Sequence, residues 1–177
     1  METASTRKPL RTIREVYNAL PEGTLAQLIE DQLVMSPSPT YGHQALIMKI
    51  GSTIFNFLEK NDLGKVLNAP YDVHLDEGNV FQPDILFIPN EQLNNIREDG
   101  FHGAPALIIE LLSPGTAQYD LHQKKAVYER CGVQEYWIVD PDTREAEGYF
   151  LENGKYGKAI QMKGTISSRL LAEDFHF

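Results

Sequence analysis

Two acidic residues stand inside apolar runs that otherwise read as buried strands: Asp84 in Val80-Phe-Gln-Pro-Asp-Ile-Leu-Phe-Ile88, and Glu110 in Ala106-Leu-Ile-Ile-Glu-Leu-Leu112. Moving a carboxylate into a low-dielectric interior costs several kcal/mol unless a cation or hydrogen-bond donors compensate it. A chain that does this on two neighbouring strands must fold so that both acids are compensated, and a shared metal ion is the simplest way. Each acid also has a structural reading. Asp after Pro is common at strand starts and turns, and Glu110 could belong to a buried ion pair.

At 177 residues and 42% hydrophobic composition, the chain is long enough for one domain with a sizeable core and short for two. We expect a flexible basic arm over residues 1–10 and a single domain over 11–177. Cys131 is the only cysteine, so no internal disulfide is available, and Met1-Glu-Thr-Ala-Ser-Thr-Arg-Lys8 lacks the apolar stretch of a signal peptide. Asp84, Glu110 and Asp140 interrupt the longest apolar runs, well short of the ~20 residues a membrane helix needs. These features point to a soluble, cytoplasmic protein with no membrane segment. The net charge of -9 weighs against a broad phosphate-binding surface, because sequence-independent nucleic-acid affinity comes mainly from Lys and Arg. Acidic metal ligands would inflate that charge until an ion binds, and Arg7, Lys8, Arg11 and Arg14 cluster near the N-terminus.

Thr12 opens a helical stretch through Val16 and Leu20 that Pro21-Glu-Gly23 closes. Leu25 to Met35 reads as a strand or hairpin turning at Glu30-Asp31 and stopped by Ser36-Pro-Ser-Pro39. From Thr40 to Lys60 the residues Leu46, Ile47, Ile50, Ile54, Phe57 and Leu58 recur at steps of three and four, the period of a buried helical face. His43 shares that face. It reads first as a hydrogen-bonded boundary histidine, with contact to substrate or a site water as the alternative. Lys65 to Leu67, Tyr71 to Leu75 and Phe81 to Ile88 suggest a meander, its last two segments joined by a turn at Asp76-Glu-Gly-Asn79. A short polar helix over Glu91 to Glu98 and a strand over Ala106 to Leu112 follow.

Thr116 is a credible N-cap for a second long helix, Ala117 to Cys131, ending at Gly132. At about 100° per residue with Ala117 at zero, Leu121 falls at about 40°, Tyr128 at about 20°, Cys131 at about 320° and Val127 at about 280°. Lys124 lies at about 340°, near the middle of that apolar face, whereas Lys125 lies at about 80°, on its margin. One lysine therefore points inward. Gln134 to Val139 is a strand in which Trp137 packs into the core, and Asp140 starts the turn that follows. The remainder reads as antiparallel β over 145–151, 155–161 and 165–170. His74, His102, His122 and His176 show no metal-ligand spacing with one another or with Cys131, which argues against a zinc site.

Asp84 and Glu110 on successive strands, with an inward Lys124 on the next helix, suit metal-assisted hydrolysis. Two carboxylates can bind Mg²⁺ or Mn²⁺ and leave room for waters and a phosphate oxygen, while an ammonium orients the attacking water or stabilises developing charge. The alternatives are a buried Glu110–Lys124 ion pair, or Asp120 pairing with Lys124 four residues along one helix face.

The order Pro-Asp, then an apolar strand bearing Glu, then a helix, resembles the PD-(D/E)XK nuclease superfamily. More closely, Leu33-Val-Met-Ser-Pro-Ser-Pro39, His43, Gln82-Pro-Asp-Ile-Leu-Phe87, Ile109-Glu-Leu-Leu-Ser-Pro114, Asp120 with Lys124 and Tyr128, and Gly132-Val-Gln-Glu-Tyr-Trp-Ile-Val-Asp-Pro141 resemble the Uma-type restriction endonucleases. The match runs from about Leu25 to Phe150. It implies an α/β (α+β) fold with a restriction-endonuclease-like mixed sheet flanked by helices, plus further antiparallel segments. It implies metal-binding carboxylates at Asp84 and Glu110, with the Leu111 backbone carbonyl as a further ligand. The superfamily's lysine normally lies two residues after the Glu, where this chain has Leu112; in the Uma-type pattern it has moved to the following helix, at Lys124. Related sequences often carry Tyr-Glu-Leu-Ile-Asp-Gly-Glu where this chain has Ala26-Gln-Leu-Ile-Glu-Asp-Gln32, so Glu30 is either an additional carboxylate of the site or a turn residue.

The expected function is a Mg²⁺ (or Mn²⁺)-dependent endonuclease acting on DNA phosphodiesters, as a homodimer because cutting both strands needs two sites. Asp84, Glu110 and Lys124 would be catalytic, and His43, Glu30 and Asp120 accessory. The alternative is a non-catalytic module of the same fold that binds nucleic acid or a protein.

Overall fold

The Thr12 hydroxyl accepts from the Glu15 amide and the Glu15 carboxylate accepts from the Thr12 amide, a capping box that starts α1 (Ile13–Tyr17). This is the first element of a computed structural model that describes residues 12–115 and 117–177. The arm expected over residues 1–10, with Arg11 and the Thr116 cap, lies outside the described residues. Strands β1 (Ala26–Ile29) and β2 (Gln32–Met35) form a hairpin through Glu30 and Asp31, both at positive φ (47° and 61°), the twist that suits a two-residue turn. Thr40 then caps α2 (Tyr41–Asn61), and Asp62 in the left-handed region ends it. Next come β3 (Gly64–Asn68), β4 (Val73–Asp76), β5 (Asn79–Phe81), β6 (Ile85–Pro89), β7 (Ile96–Arg97), β8 (Gly100–His102) and β9 (Leu107–Leu111). A π-helical turn, Tyr119–Lys124, runs into α3 (Lys125–Cys131). The chain finishes in β10 (Glu135–Val139), β11 (Glu145–Glu152), β12 (Lys155–Tyr156), β13 (Ile160–Lys163), β14 (Thr165–Ser168) and β15 (Glu173–His176).

The larger sheet has the order β12-β11-β10-β9-β6-β3, with β13 also on β11. Its β9–β10 pair is parallel, so the chain must cross over between them, and the π-turn and α3 make that crossover. A second sheet runs β2-β1-β5-β4-β8-β7, and β14 pairs with β15. Side-chain alternation on β9 then fixes the geometry of the interior. Leu107, Ile109 and Leu111 pack with Leu46, Ile50 and Ile54 of α2, whereas Ile108 packs with Val127 and Tyr128 of α3. Period two therefore puts Glu110 on the α3 face. Each fully buried aliphatic chain here contributes roughly 1.5–3 kcal/mol relative to exposure. No helix of the described residues is long and apolar enough to cross a membrane.

Four sequence expectations need correction. The run Val80 to Ile88 is not one strand: it breaks at Gln82-Pro83-Asp84, and its halves, β5 and β6, belong to different sheets. Pro83 has no N–H to give a ladder, and the Asp84 amide points at a side chain instead. The expected meander is consequently two interleaved pairings, β3 with β6 and β4 with β5. The polar helix after β6 is a 3₁₀ helix, Asn90–Asn95, giving way to β7, and the helix from Ala117 is π-helical through its middle.

Candidate active site

Register brings the two acids together. Ile85 of β6 pairs with Ile109 of β9 in antiparallel sense, so Asp84, just before β6, stands beside Glu110. Asp84 Oδ2 accepts from the Leu111 amide at 2.7 Å, and the Asp84 amide donates to Glu110 Oε2 at 3.3 Å. His43 enters from the first turn of α2, where its amide donates to Thr40 Oγ1. Its Nε2 lies 3.2 Å from the Leu111 carbonyl oxygen and 3.4 Å from Asp84 Oδ2. A carbonyl only accepts, so Nε2 carries the proton. The bond to Asp84 holds the His43 imidazole above its ordinary pKa, against the opposing effect of burial.

Glu110, Asp120 and Lys124 are 3%, 2% and 2% exposed. The Lys124 ammonium lies 2.5 Å from Glu110 Oε1 and 2.9 Å from Asp120 Oδ1, so the two pairings left open by the sequence both form. Burial pushes the Glu110 carboxyl up to about 8; Lys124 pulls it down, while Asp120 and Asp84 add to the rise. Burial, the largest influence, together with the second acid at the same ammonium, outweighs the pull of Lys124. Burial alone would depress Lys124, but Asp120 and then Glu110 outweigh it and hold the ammonium above the usual lysine value.

Two tyrosines complete the cluster, and sequence reasoning gave neither a role. The Tyr128 hydroxyl donates to Glu110 Oε1 at 2.7 Å, and the Tyr136 hydroxyl donates to the Asp120 carbonyl at 2.9 Å. Tyr128 fell on the apolar face of the wheel, where its ring was legible and its hydroxyl was not. The Tyr136 bond anchors the π-helical turn, a feature frequent at functional sites.

Asp84, Glu110, Asp120, Lys124 and His43 all line one cleft that encloses about 750 Å³. Glu30 is not in it. It lies exposed on the β1–β2 turn, with Oε1 3.7 Å from the Arg130 guanidinium. The donors that converge at the floor are carboxylate oxygens from Asp84 and Glu110 and the Leu111 carbonyl, with none of the bonds above using Asp84 Oδ1. Few, hard oxygen donors that leave positions for water suit Mg²⁺ or Mn²⁺. The Leu111 carbonyl oxygen has two lone pairs, so it can serve an ion while still accepting from His43.

A second group of ligand-type residues was invisible to spacing because it forms across a sheet. His74 and His102 are in register on the parallel strands β4 and β8, and with Asp99 their ligand atoms lie within 4.8 Å of one another. The rings stack at 4.3 Å with 9° between planes, so their in-plane lone pairs do not converge on one point. The Arg14 guanidinium sits 2.7 Å from His74 Nδ1, which must then accept, leaving Nε2 to donate to the Asp99 carbonyl at 2.9 Å. Burial keeps His74 below its ordinary pKa. His102 Nε2 lies 2.8 Å from Asp99 Oδ1. These contacts satisfy the group without an ion.

The architecture is that of a restriction-endonuclease-like nuclease fold. It matches the crystal structure of a putative nuclease belonging to DUF820 from Anabaena variabilis ATCC 29413 with a TM-score of 0.77, covering 93% of this chain and 92% of that one at 19% sequence identity. Residues 14–176 match the Uma2 family, described as "Putative restriction endonuclease", and the chain belongs to that family. No curated protein matches it.

Proposed function

We propose that this protein is a metal-dependent endonuclease hydrolysing DNA phosphodiester bonds, with Asp84, Glu110 and the Leu111 carbonyl holding Mg²⁺ or Mn²⁺. The observation that carries this reading is the pairing of Asp84 with Glu110 across β6 and β9 while Lys124 reaches Glu110 from the crossover helix. When bound, such an ion would polarise a phosphate oxygen and lower the pKa of a water. Asp84 and Glu110 are held for this task by main-chain amides, so their orientation costs nothing at the moment of reaction. Lys124 orients the attacking water or offsets charge developing on the phosphate. Tyr128 fixes the Glu110 rotamer, and His43 is placed to contact substrate or a site water from the Asp84 side. Asp120 acts on Lys124, keeping it charged and aimed at the floor.

The test is a cleavage assay on plasmid and single-stranded DNA with Mg²⁺ or Mn²⁺, alongside calorimetric titration of Mn²⁺. We expect ion-dependent cleavage and Mn²⁺ binding that Asp84→Ala weakens. Wild-type protein that binds no ion, or binds it as Asp84→Ala does, would leave only a non-catalytic module.

A further inference from the structure

The lining of the cleft carries five acids against one lysine, and the rest of it is mostly uncharged. Glu110 and Lys124 are 3% and 2% exposed at its base, so a phosphate must descend below the rim to approach them. Four loops carry prolines into the lining: Pro37 and Pro39, Pro70, Pro114, and Pro141. Among the described residues Lys124 is the one lysine or arginine lining the cleft, and two acids already hold it. Asp140 and Asp142 add negative charge to the lining. A double helix carries a charge every ~1.7 Å of its axis and is bound chiefly through several Lys and Arg contacts to phosphate. Nothing in these walls supplies them. A space of about 750 Å³ falls instead among sites that enclose a small ligand, roughly 300–1,000 Å³, which is the scale of one or two nucleotides. Neutral hydrogen-bonding groups, Ser38 and Gln44, stand beside the prolines, where an exposed base edge could meet them.

We propose that the cleft takes an unpaired nucleotide, its base against the proline walls and its phosphate over the Asp84–Glu110 pair. The substrate class is then single-stranded nucleic acid, or a base extruded from a duplex, and not an intact double helix. The placement of the phosphate rests on the nuclease reading; the fit of the base rests on the walls alone. Fluorescence anisotropy tests it with wild-type protein in Ca²⁺, which fills oxygen sites. The probes are a single strand of about 12 nucleotides, the same strand fully paired, the paired strand with one mismatch, and a strand of abasic residues.

The single strand or the mismatched duplex should bind at least about tenfold tighter than the paired duplex, and the abasic strand about tenfold weaker than the normal strand, as loss of one stacked base predicts. Preference for the mismatched duplex identifies an extruded base as the source, and preference for the free strand identifies single-stranded substrate. A paired duplex that binds as well as either, or an abasic strand that binds as well as the normal one, overturns the proposal. The predicted order of binding without Mn²⁺-dependent hydrolysis of any probe would remove the nuclease reading and leave this one standing.

Discussion

Lys124 Nζ lies 2.5 Å from Glu110 Oε1, so an ammonium carried by the crossover helix meets an acid carried by the strand that the helix leaves. Leu112 occupies the strand position where the nuclease superfamily usually carries its lysine. Reaching in from the helix brings a second acid along, because Asp120 sits one turn away on the same face, 2.9 Å from the ammonium. The cluster is a buried triad at the cleft floor, and removing Lys124 takes the shared cation from both acids.

Lys124→Met should therefore cost roughly 3–5 kcal/mol of stability, the range for breaking a buried ion pair from one side. Lys125→Ala, its neighbour, removes a partly exposed ammonium 3.6 Å from the Tyr149 ring centre and should cost about 1 kcal/mol or less. Urea unfolding of the two variants makes the comparison. Equal losses would mean that the inward lysine has been misassigned.

Glu110 gives the ion site a pH dependence. Its carboxyl is pushed up to about 8 by burial, far above the 4.5 of an unburied glutamate. A folded-state pKa raised in this way contributes stability that is fully present below about pH 4.5 and disappears as pH rises through about 8. An ion at this carboxylate competes with the proton, so Mn²⁺ should bind more tightly at pH 8.5 than at pH 6, and binding at pH 7 should release a proton. Calorimetry in buffers of different ionisation enthalpy reads that proton directly. Mn²⁺ should also raise the thermal midpoint more at the higher pH, and a larger rise at pH 6 would exclude Glu110 as the titrating ligand.

Much of this arrangement is legible without coordinates, for identifiable reasons. Asp84 and Glu110 stand out because apolar runs exclude acids, and Lys124 because a helix's period makes an inward charge countable. Hydrophobic period alone cannot say which sheet a strand joins, so Phe81 and Ile85 read as one strand when they belong to two. The stacked His74 and His102 are 28 residues apart and meet through parallel pairing, which no local spacing reports. The π-helical turn is hidden as well, since the wheel assumes one pitch throughout; Lys124, at the end of that turn, is nonetheless buried between Glu110 and Asp120.

Asp84→Asn probes the other acid with little change of shape. The amide oxygen can still accept from the Leu111 N–H, so the fold should hold to within about 1 kcal/mol. Two things should change. Mn²⁺ affinity should fall at least about tenfold with the loss of a charged ligand. His43 should titrate at lower pH, because its bond to the Asp84 carboxylate is the largest influence holding it up. NMR titration of the imidazole checks the second effect, and an unchanged His43 titration would mean that the Asp84 contact is not what raises it.

Moving the lysine back to the strand separates its chemical role from its structural one. Leu112 lies two residues after Glu110, hence on the same side of the chain as it leaves β9, and it lines the cleft. Its amide is fixed by a 2.8 Å bond to the Val139 carbonyl, so a new side chain there starts from a defined position. Lys124→Met should lower cleavage about 100–1,000-fold, the scale on which a single positioned donor acts in a transition state. Adding Leu112→Lys to that variant should restore at least about tenfold of the rate, since an ammonium again reaches the Glu110 side of the cleft. Stability should recover much less, because Asp120 is buried on the helix with Lys124, four residues away, and a lysine moved to the strand does not restore that i,i+4 pair. Cleavage rates and urea midpoints measured on the same preparations distinguish the cases. Recovery of stability without cleavage would make Lys124 a structural counter-ion only, whereas recovery of cleavage without stability would assign the ammonium to the reaction and Asp120 to holding it in place.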